Sequence, residues 1–241
     1  MTVEIANQPQ LRVLTFNIHH GEGNDGIIDL NRIAAIINNV KPDLVAIQEV
    51  DKNVKRTENV DQPDLLGQLT GMNVAFGKAV DFDGGEYGQA LLYRFPLDSF
   101  ETISLPNPAN NEQRVALVGK FVPENDLPPF TFIGTHLEFE SKECQIAQAE
   151  KLKNQFGTTT PLILAGDLNA TPQSAAIDIL RTNWDDATAK ITEPTCEEDG
   201  KIDYIMYGGR NQWRVISTQA LDNRRASDHK PVFAVLSWRG E

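Results

Sequence analysis

"PLILAGDLNATPQSA", residues 161–175, is the stretch from which the fold can be read. Leu162, Ile163, Leu164 and Ala165 make an apolar run too short for a helix, bounded by Pro161 and Gly166. That is how a strand buried on both faces reads. The run ends in Asp167 and Asn169, a carboxylate and a carboxamide two positions apart. Pro172 then stops the loop before a short helical stretch, "SAAIDIL". A buried strand that ends in polar side chains and passes into a helix is α/β grammar, with binding groups gathered where strands end. Gly166 is read as the residue that lets the backbone turn closely.

The same pattern recurs along the chain. "LRVLTF" reads as a strand and ends in Asn17, His19 and His20. "IDLNRIAAIINNV" carries apolar residues at 30, 33, 34, 36, 37 and 40, a helical stripe, with Asp29 as its cap and Pro42 after it. "DLVAIQEV" is a second doubly buried strand and carries Gln48 and Glu49. "DQPDLLGQLTG" predicts a short helix with Pro63 in its first turn and Gly71 at its end. The runs "NVAFGKA", "QALLYR", "DSFETISL", "RVALVGKFV" and "FTFIGT" follow, separated by turn formers as antiparallel strands are. The last of them ends in His136 and Glu138. "SKECQIAQAEKLKNQF" predicts a helix, and "KIDYIMY", "WRVISTQ" and "PVFAVLSW" close the chain as strands. Helices alternating with strands in both halves predict a four-layer α/β sandwich, two packed mixed sheets flanked by helices, in a single domain over 1–241.

Composition narrows the possible partners. Hydrophobic residues at 40% allow a sizeable core, so wholesale disorder is excluded. The longest apolar runs are about six residues, against the ~20 of a membrane-spanning helix. The opening "MTVEIANQPQ" has neither a basic start nor an apolar centre, which predicts no secretory signal and a cytoplasmic protein without stable membrane insertion. Thirty-four acids against 22 bases give a net charge of −12. Long duplex DNA would be repelled, because such binding relies on Lys and Arg displacing counterions. A small phosphate ester is still acceptable if a metal ion supplies positive charge locally. Cys144 and Cys196, far apart and alone, predict free buried thiols rather than a disulfide framework or a cysteine-based zinc site.

All four histidines (His19, His20, His136 and His229) lie at these strand ends. Taken singly, each polar residue has a plain structural use. Glu49 fits a partly exposed strand-end acid and His136 a satisfied structural histidine. Asp203, between two isoleucines, fits an arginine partner, and Ser227 or Asp228 fits a turn cap. Arg56 and Arg114 fit pairing with acids better than binding phosphate. Together the strand ends supply what phosphoester hydrolysis needs. Glu49 can anchor a hard divalent ion. Asn17 and Asn169 can contact phosphate oxygens without adding charge. Either Asp167, or His229 positioned by Asp203, can accept a proton from water. The loop "GEGNDG" suits a pocket rim or a solvated turn.

In order, "LTFNIHHG", "VAIQEVD", "YGQALLYR", "THLE", "AGDLNATP", "IDYIMY" and "SDHKPV" resemble the endonuclease/exonuclease/phosphatase superfamily over nearly the whole chain. The resemblance implies the same four-layer sandwich. It implies Glu49 as a metal-binding glutamate and Asn17 near the metal and the scissile phosphate. It makes Asp167 and Asn169 the pair handling the attacking water and a phosphate oxygen, and Asp203 the acid orienting His229. Asp228 matches an acid often assigned to metal binding, and His136 a second histidine of the deoxyribonuclease-like and sphingomyelinase-like branches. Tyr87 falls where relatives place a phosphate-contacting residue. Three positions depart from the pattern or leave it incomplete. Tyr93 replaces a common serine, His19 stands where some relatives carry an acid, and no partner for His136 is evident.

The resulting expectation is a Mg²⁺-dependent phosphoesterase, with Mn²⁺ or Ca²⁺ as possible substitutes. It would be a phosphodiesterase on a small or lipid-derived substrate, using in-line attack of an activated water. The alternatives are a nuclease on short or single-stranded nucleic acid and, lower, a catalytically silent binding module on the same fold. "FVPENDLPPFTF", with its acids and prolines, is a poor membrane-docking hairpin.

Overall fold

The computed structural model describes residues 8–223 and 225–240, so most of the opening decapeptide lies outside the described residues. Strands β1 (Gln10–Asn17) and β2 (Leu44–Lys52) run parallel, joined by helix α1 (Leu30–Val40). Asp29 caps α1 by accepting from the Asn31 amide, and Lys41 closes it in the left-handed conformation just before Pro42. Helix α2 (Gln62–Thr70) is capped by Asp61, carries Pro63 in its first turn and ends at Gly71, whose φ of +61° suits a residue without Cβ. Strands β3 (Asn73–Phe82) and β4 (Gly85–Tyr93) complete one side of the first sheet.

Strands β5 (Leu97–Ser104), β6 (Val115–Phe121) and β7 (Phe130–His136) open the second sheet. Helix α3 (Lys142–Phe156), capped by Ser141, crosses over to β8 (Leu162–Asp167), parallel to β7. Helix α4 (Ala175–Arg181), capped by Ser174, and the two-residue β9 (Asp185–Asp186) lead to β10 (Asp203–Gly208), antiparallel to β8. The chain then returns to the first sheet with β11 (Trp213–Ala220) and β12 (Val232–Trp238). The orders are β11-β12-β1-β2-β4-β3 and β5-β6-β7-β8-β10-β9.

Three apolar layers hold the sheets and helices together. Val13, Ala46 and Leu91 of the first sheet meet Leu117, Phe132, Ala165 and Ile205 of the second. Ile33, Ile37 and Leu66 pack on the outer face of the first sheet, against Leu14, Phe16 and Val45. Leu152, Phe156 and Leu180 pack on the outer face of the second, against Ile133, Leu164 and Met206. Burying each such side chain is worth about 1.5–3 kcal/mol. The expected four layers are therefore present. Tyr93 belongs to the inter-sheet layer, ring to ring with Phe121 at 5.3 Å, so its role is packing. Cys144 and Cys196 are free and buried, as expected.

Strand β8 shows why the opening stretch reads as it does. Ile163 and Ala165 face the other sheet, whereas Leu162 and Leu164 face the helices, so both faces are apolar. Gly166 does something other than turn the chain. It lies within β8 beside Thr135 of β7, and a Cβ there would stand 1.9 Å from the Thr135 carbonyl oxygen. Glycine is required by close approach, not by a bend. Gly166→Ala is expected to cost about 1–3 kcal/mol or more, as overpacking does. A denaturant titration matching the wild type would contradict this.

Candidate active site

The period-two alternation that builds the inter-sheet core also builds the site. Leu11 and Val13 point between the sheets, and so therefore does Asn17 at the end of β1. Phe130 and Phe132 set the same direction for His136 at the end of β7. Ile163 and Ala165 set it for Asp167, and Ile205 and Tyr207 for Asp203. The pairings place His136 beside Asp167 and Asp203 opposite Asp167. Four polar side chains from two sheets thus occupy the last inward positions at one rim.

Glu49 breaks this rule. Val45 and Ile47 face the helices, so strict alternation would send Glu49 outward too. The register of β2 against β4 shifts between Ile47 and Val50, and Glu49 takes φ 58°. The bulge re-aims the carboxylate toward the rim. There the Asn17 amide donates to Glu49 Oε1 at 2.8 Å and to Asp167 Oδ2 at 3.1 Å. Asn17 Oδ1 accepts from the His19 amide at 3.1 Å. Asn17 is 1% exposed and spends its whole carboxamide linking a carboxylate of one sheet to a carboxylate of the other.

Around Asp167 the donors converge. Asp167 Oδ1 accepts from the Asn169 amide at 2.9 Å, and Oδ2 lies 3.4 Å from His136 Nε2 and 3.7 Å from His229 Nε2. His229 Nδ1 bonds Asp203 Oδ2 at 3.0 Å, so Asp203 takes the histidine in place of an arginine. Ser227 Oγ donates to the Asn17 carbonyl at 2.8 Å, which ties the loop before β12 to the end of β1. Burial, with Asp203 close by, pushes the Asp167 carboxyl up to about 7. Burial works against a charged His229, yet the Asp203 and Asp167 carboxylates outweigh it and hold the imidazole far above its usual range.

His136 has the opposite character. Burial, the Arg114 guanidinium and His229 hold it well below the usual range, so it is neutral. Arg114 Nη1 stands 3.2 Å from its Nδ1, and a guanidinium can only donate. On the other side Nε2 lies 3.0 Å from the Asn169 carboxamide nitrogen, which also donates to the Leu137 carbonyl at 2.9 Å, and 3.4 Å from Asp167 Oδ2. Arg114 is the orienting partner that sequence reading missed. It is buried between Glu112 (2.9 Å) and Glu138 (3.6 Å). It stands just before β6, where extending the Ala116–Thr135 pairing sets Val115 across from His136 and Arg114 across from Leu137, so strand register carries no signal for the contact.

The site opens into a cleft of about 530 Å³. Glu49, Tyr87, Arg114, His136, Asn169 and His229 all line it, as does Asn24 of the "GEGNDG" loop. Seven of its fifteen lining residues are Asp or Glu, and Arg114 is the one permanent cation among them. Burial, Glu49 and Glu112 push the Tyr87 hydroxyl far up, so it remains a neutral donor. Arg56 forms a two-point pair with fully buried Asp51 (2.7 and 2.8 Å) and lies over the Phe82 ring. Asp228 is exposed, lines the cleft and has Oδ1 3.0 Å from Ser227 Oγ.

Among the described residues, two groups of donors lie close enough to hold an ion: His19, His20 and Glu49, and Asp167, Asp203 and His229. Asp228 belongs to neither. The residues fit a divalent cation. Glu49 Oε1 accepts from Asn17, which leaves Oε2 for an ion. His20 Nδ1 is buried without a hydrogen-bond partner, and the cleft wall carries excess negative charge.

Residues 14–229 match the model of the endonuclease/exonuclease/phosphatase family. YbhP of Escherichia coli K12 is 25% identical over 179 residues, covering 70% of each chain. An endonuclease/exonuclease/phosphatase from Beutenbergia cavernae superposes with a TM-score of 0.80 at 24% identity, over 96% of this chain and 72% of that one. The mannosyl-6-phosphatase Bt3783 of Bacteroides thetaiotaomicron superposes with a TM-score of 0.78 at 19% identity, over 95% of this chain and all of that one. Both superpositions show a common fold. No helix among the described residues is long and apolar enough to cross a membrane.

Proposed function

Because this chain belongs to the endonuclease/exonuclease/phosphatase family, we propose that it is a divalent-metal-dependent phosphoester hydrolase acting on small phosphodiesters. The ion is of the divalent class that includes Mg²⁺, Mn²⁺ and Ca²⁺. The observation that carries this reading is the meeting of Asn17, Glu49, His136, Asp167 and His229 at the head of one cleft. Glu49 would hold the ion, which when bound offsets the charge of the phosphate and orients it.

The protein's own groups then have separate tasks. His136 and the Asn169 carboxamide, side by side at the head of the cleft, bind non-bridging oxygens. Asp167 accepts the proton of the attacking water. Its carboxyl titrates near 7, close to the working range of a general base. Asp203 and Asp167 both favour the protonated form of His229, so His229 is assigned a cationic role rather than that of the base. It supplies positive charge beside the forming pentavalent phosphorus, and Asp203 keeps it oriented. Arg114 fixes the orientation of the His136 ring through Nδ1. Tyr87 is positioned to donate to the substrate from the cleft wall. Asp228, at the exposed mouth, stands outside the ion-holding groups.

The acidic wall favours a small or lipid-derived substrate in one cytoplasmic domain over a long polyanion. A panel tests this: bis-p-nitrophenyl phosphate, p-nitrophenyl phosphate, a sugar 6-phosphate, sphingomyelin, inositol phosphates and plasmid DNA, each with and without EDTA. Diester cleavage abolished by EDTA and restored by adding back a divalent cation is expected. Turnover of no member, or turnover indifferent to EDTA, would refute the proposal, and fast plasmid nicking would move it to a nuclease. The pH profile follows from Asp167. Below its pKa the carboxyl is protonated and accepts nothing, so kcat/KM should fall on the acid side of neutrality and level off above it. A bound cation moves that limb to lower pH, since it favours the ionised form. A profile flat across the acidic and neutral range would remove Asp167 as the base.

A further inference from the structure

The identity of the ion is the next question, and the protein supplies more than oxygen for it. One ring nitrogen each from His19 and His20 and a carboxylate oxygen of Glu49 lie within 4.8 Å of one another. His20 is 6% exposed. Its Nε2 stands 3.1 Å from Glu22 Oε2, so the carboxylate takes the proton of that nitrogen. The lone pair is left on Nδ1, buried and without a partner. A buried polar atom left unpaired costs about 1–3 kcal/mol. An imidazole held by a carboxylate on one nitrogen and free on the other is how metal-binding histidines are prepared.

The backbone has been bent to the same end. His19, His20 and Glu49 have φ of 45°, 44° and 58°. The other positive-φ residues besides glycine are Asn, Asp or the closing residues of helical turns, Lys41 and Glu58. Such conformations cost on the order of 1–3 kcal/mol each and persist where surrounding contacts impose them. Here the contacts are visible. Asn17 Oδ1 accepts from the His19 amide, and Gln62 Nε2 donates to the His20 carbonyl at 2.7 Å.

We propose that His19, His20 and Glu49 form an ion site selective for a first-row divalent metal that accepts nitrogen ligands, of the Mn²⁺, Co²⁺ and Zn²⁺ class, over Mg²⁺. This rests on the reading of Glu49 as the ion's anchor and adds which ion it anchors. Mg²⁺ keeps oxygen ligands and gives up water reluctantly. Imidazole nitrogen suits the later first-row ions, and affinity rises along that series. Two imidazoles and one carboxylate therefore discriminate by ligand type, and Glu22 strengthens the effect by making His20 more basic toward a metal.

The test uses the full chain loaded with Mn²⁺. Pulsed electron paramagnetic resonance reads directly bonded ¹⁴N, and Mg²⁺ competition gives the affinity ratio. Wild type should show ¹⁴N coupling and retain Mn²⁺ against excess Mg²⁺. His19→Asn and His20→Asn suit the positive φ and should fold. Each should lose one of the two ¹⁴N couplings and bind Mn²⁺ ~10–100-fold more weakly, with Mg²⁺ affinity little changed, and the double variant should lose coupling altogether. Glu22→Gln should weaken Mn²⁺ binding with coupling retained. Absence of ¹⁴N coupling in the wild type, or an unchanged Mn²⁺/Mg²⁺ ratio in the double His variant, overturns the proposal. Coupling without hydrolysis of any phosphate ester leaves the site standing and defeats the proposed function. EDTA-sensitive hydrolysis without coupling does the reverse.

Discussion

Glu49→Gln is expected to abolish metal-dependent turnover, lowering kcat/KM by at least ~10²–10³-fold, the scale for losing a principal electrostatic group. The substitution is nearly isosteric. Its remaining carbonyl oxygen can still accept from Asn17, so the link at 2.8 Å between β1 and β2 has a replacement. What disappears is the negative charge that an ion requires. Two readouts separate this from misfolding. Calorimetric Mn²⁺ and Mg²⁺ binding should vanish, whereas the unfolding midpoint of the metal-free protein should hold or rise, because a carboxylate is removed from a cleft crowded with them. A variant that keeps wild-type ion affinity would move the ion elsewhere, with the Asp167, Asp203 and His229 group as the next candidate.

Disrupting the His229–Asp203 pair should cost at least ~10²-fold, but the two halves fail differently. His229→Ala leaves Asp203, 0% exposed, as a buried charge without its partner. That costs about 3–5 kcal/mol of stability as well as activity. Asp203→Asn keeps an acceptor for Nδ1 and removes the charge that keeps His229 protonated, so the imidazole pKa should drop. Activity should fall sharply with a much smaller loss of stability. Nitrogen NMR of the labelled imidazole gives the protonation state directly. If Asp203→Asn leaves both the His229 signal and turnover as in wild type, the pair is structural and the assignment of His229 fails.

Sequence reading reached the site because alternation in a strand is a strong constraint. Once Leu162–Ala165 is a doubly buried strand, Asp167 must continue the inward row, and the same holds for Asn17, His136 and Asp203. Three features were out of its reach. The inward turn of Glu49 depends on a one-residue register shift that no local pattern announces. Arg114 stands just before β6, outside the register that pairs it with β7, so its contact with His136 is set by tertiary packing. Gly166 was taken for a turn residue because the neighbour that demands glycine, the Thr135 carbonyl, lies on another strand. The substrate-facing role expected of Asn17 came from its uncharged donors and from the resemblance. In the fold its carboxamide is committed to Glu49, Asp167 and the His19 amide.

The Asn17 bridge also couples catalysis to the interior. Glu49 belongs to one sheet and Asp167 to the other, so their separation is inherited from how the two sheets dock through residues such as Val13, Phe132 and Ala165. A slight slide of one sheet over the other would misalign the centre while every strand stayed intact. Substitutions far from the cleft, in the oily seam between the sheets, thereby become a means of tuning turnover.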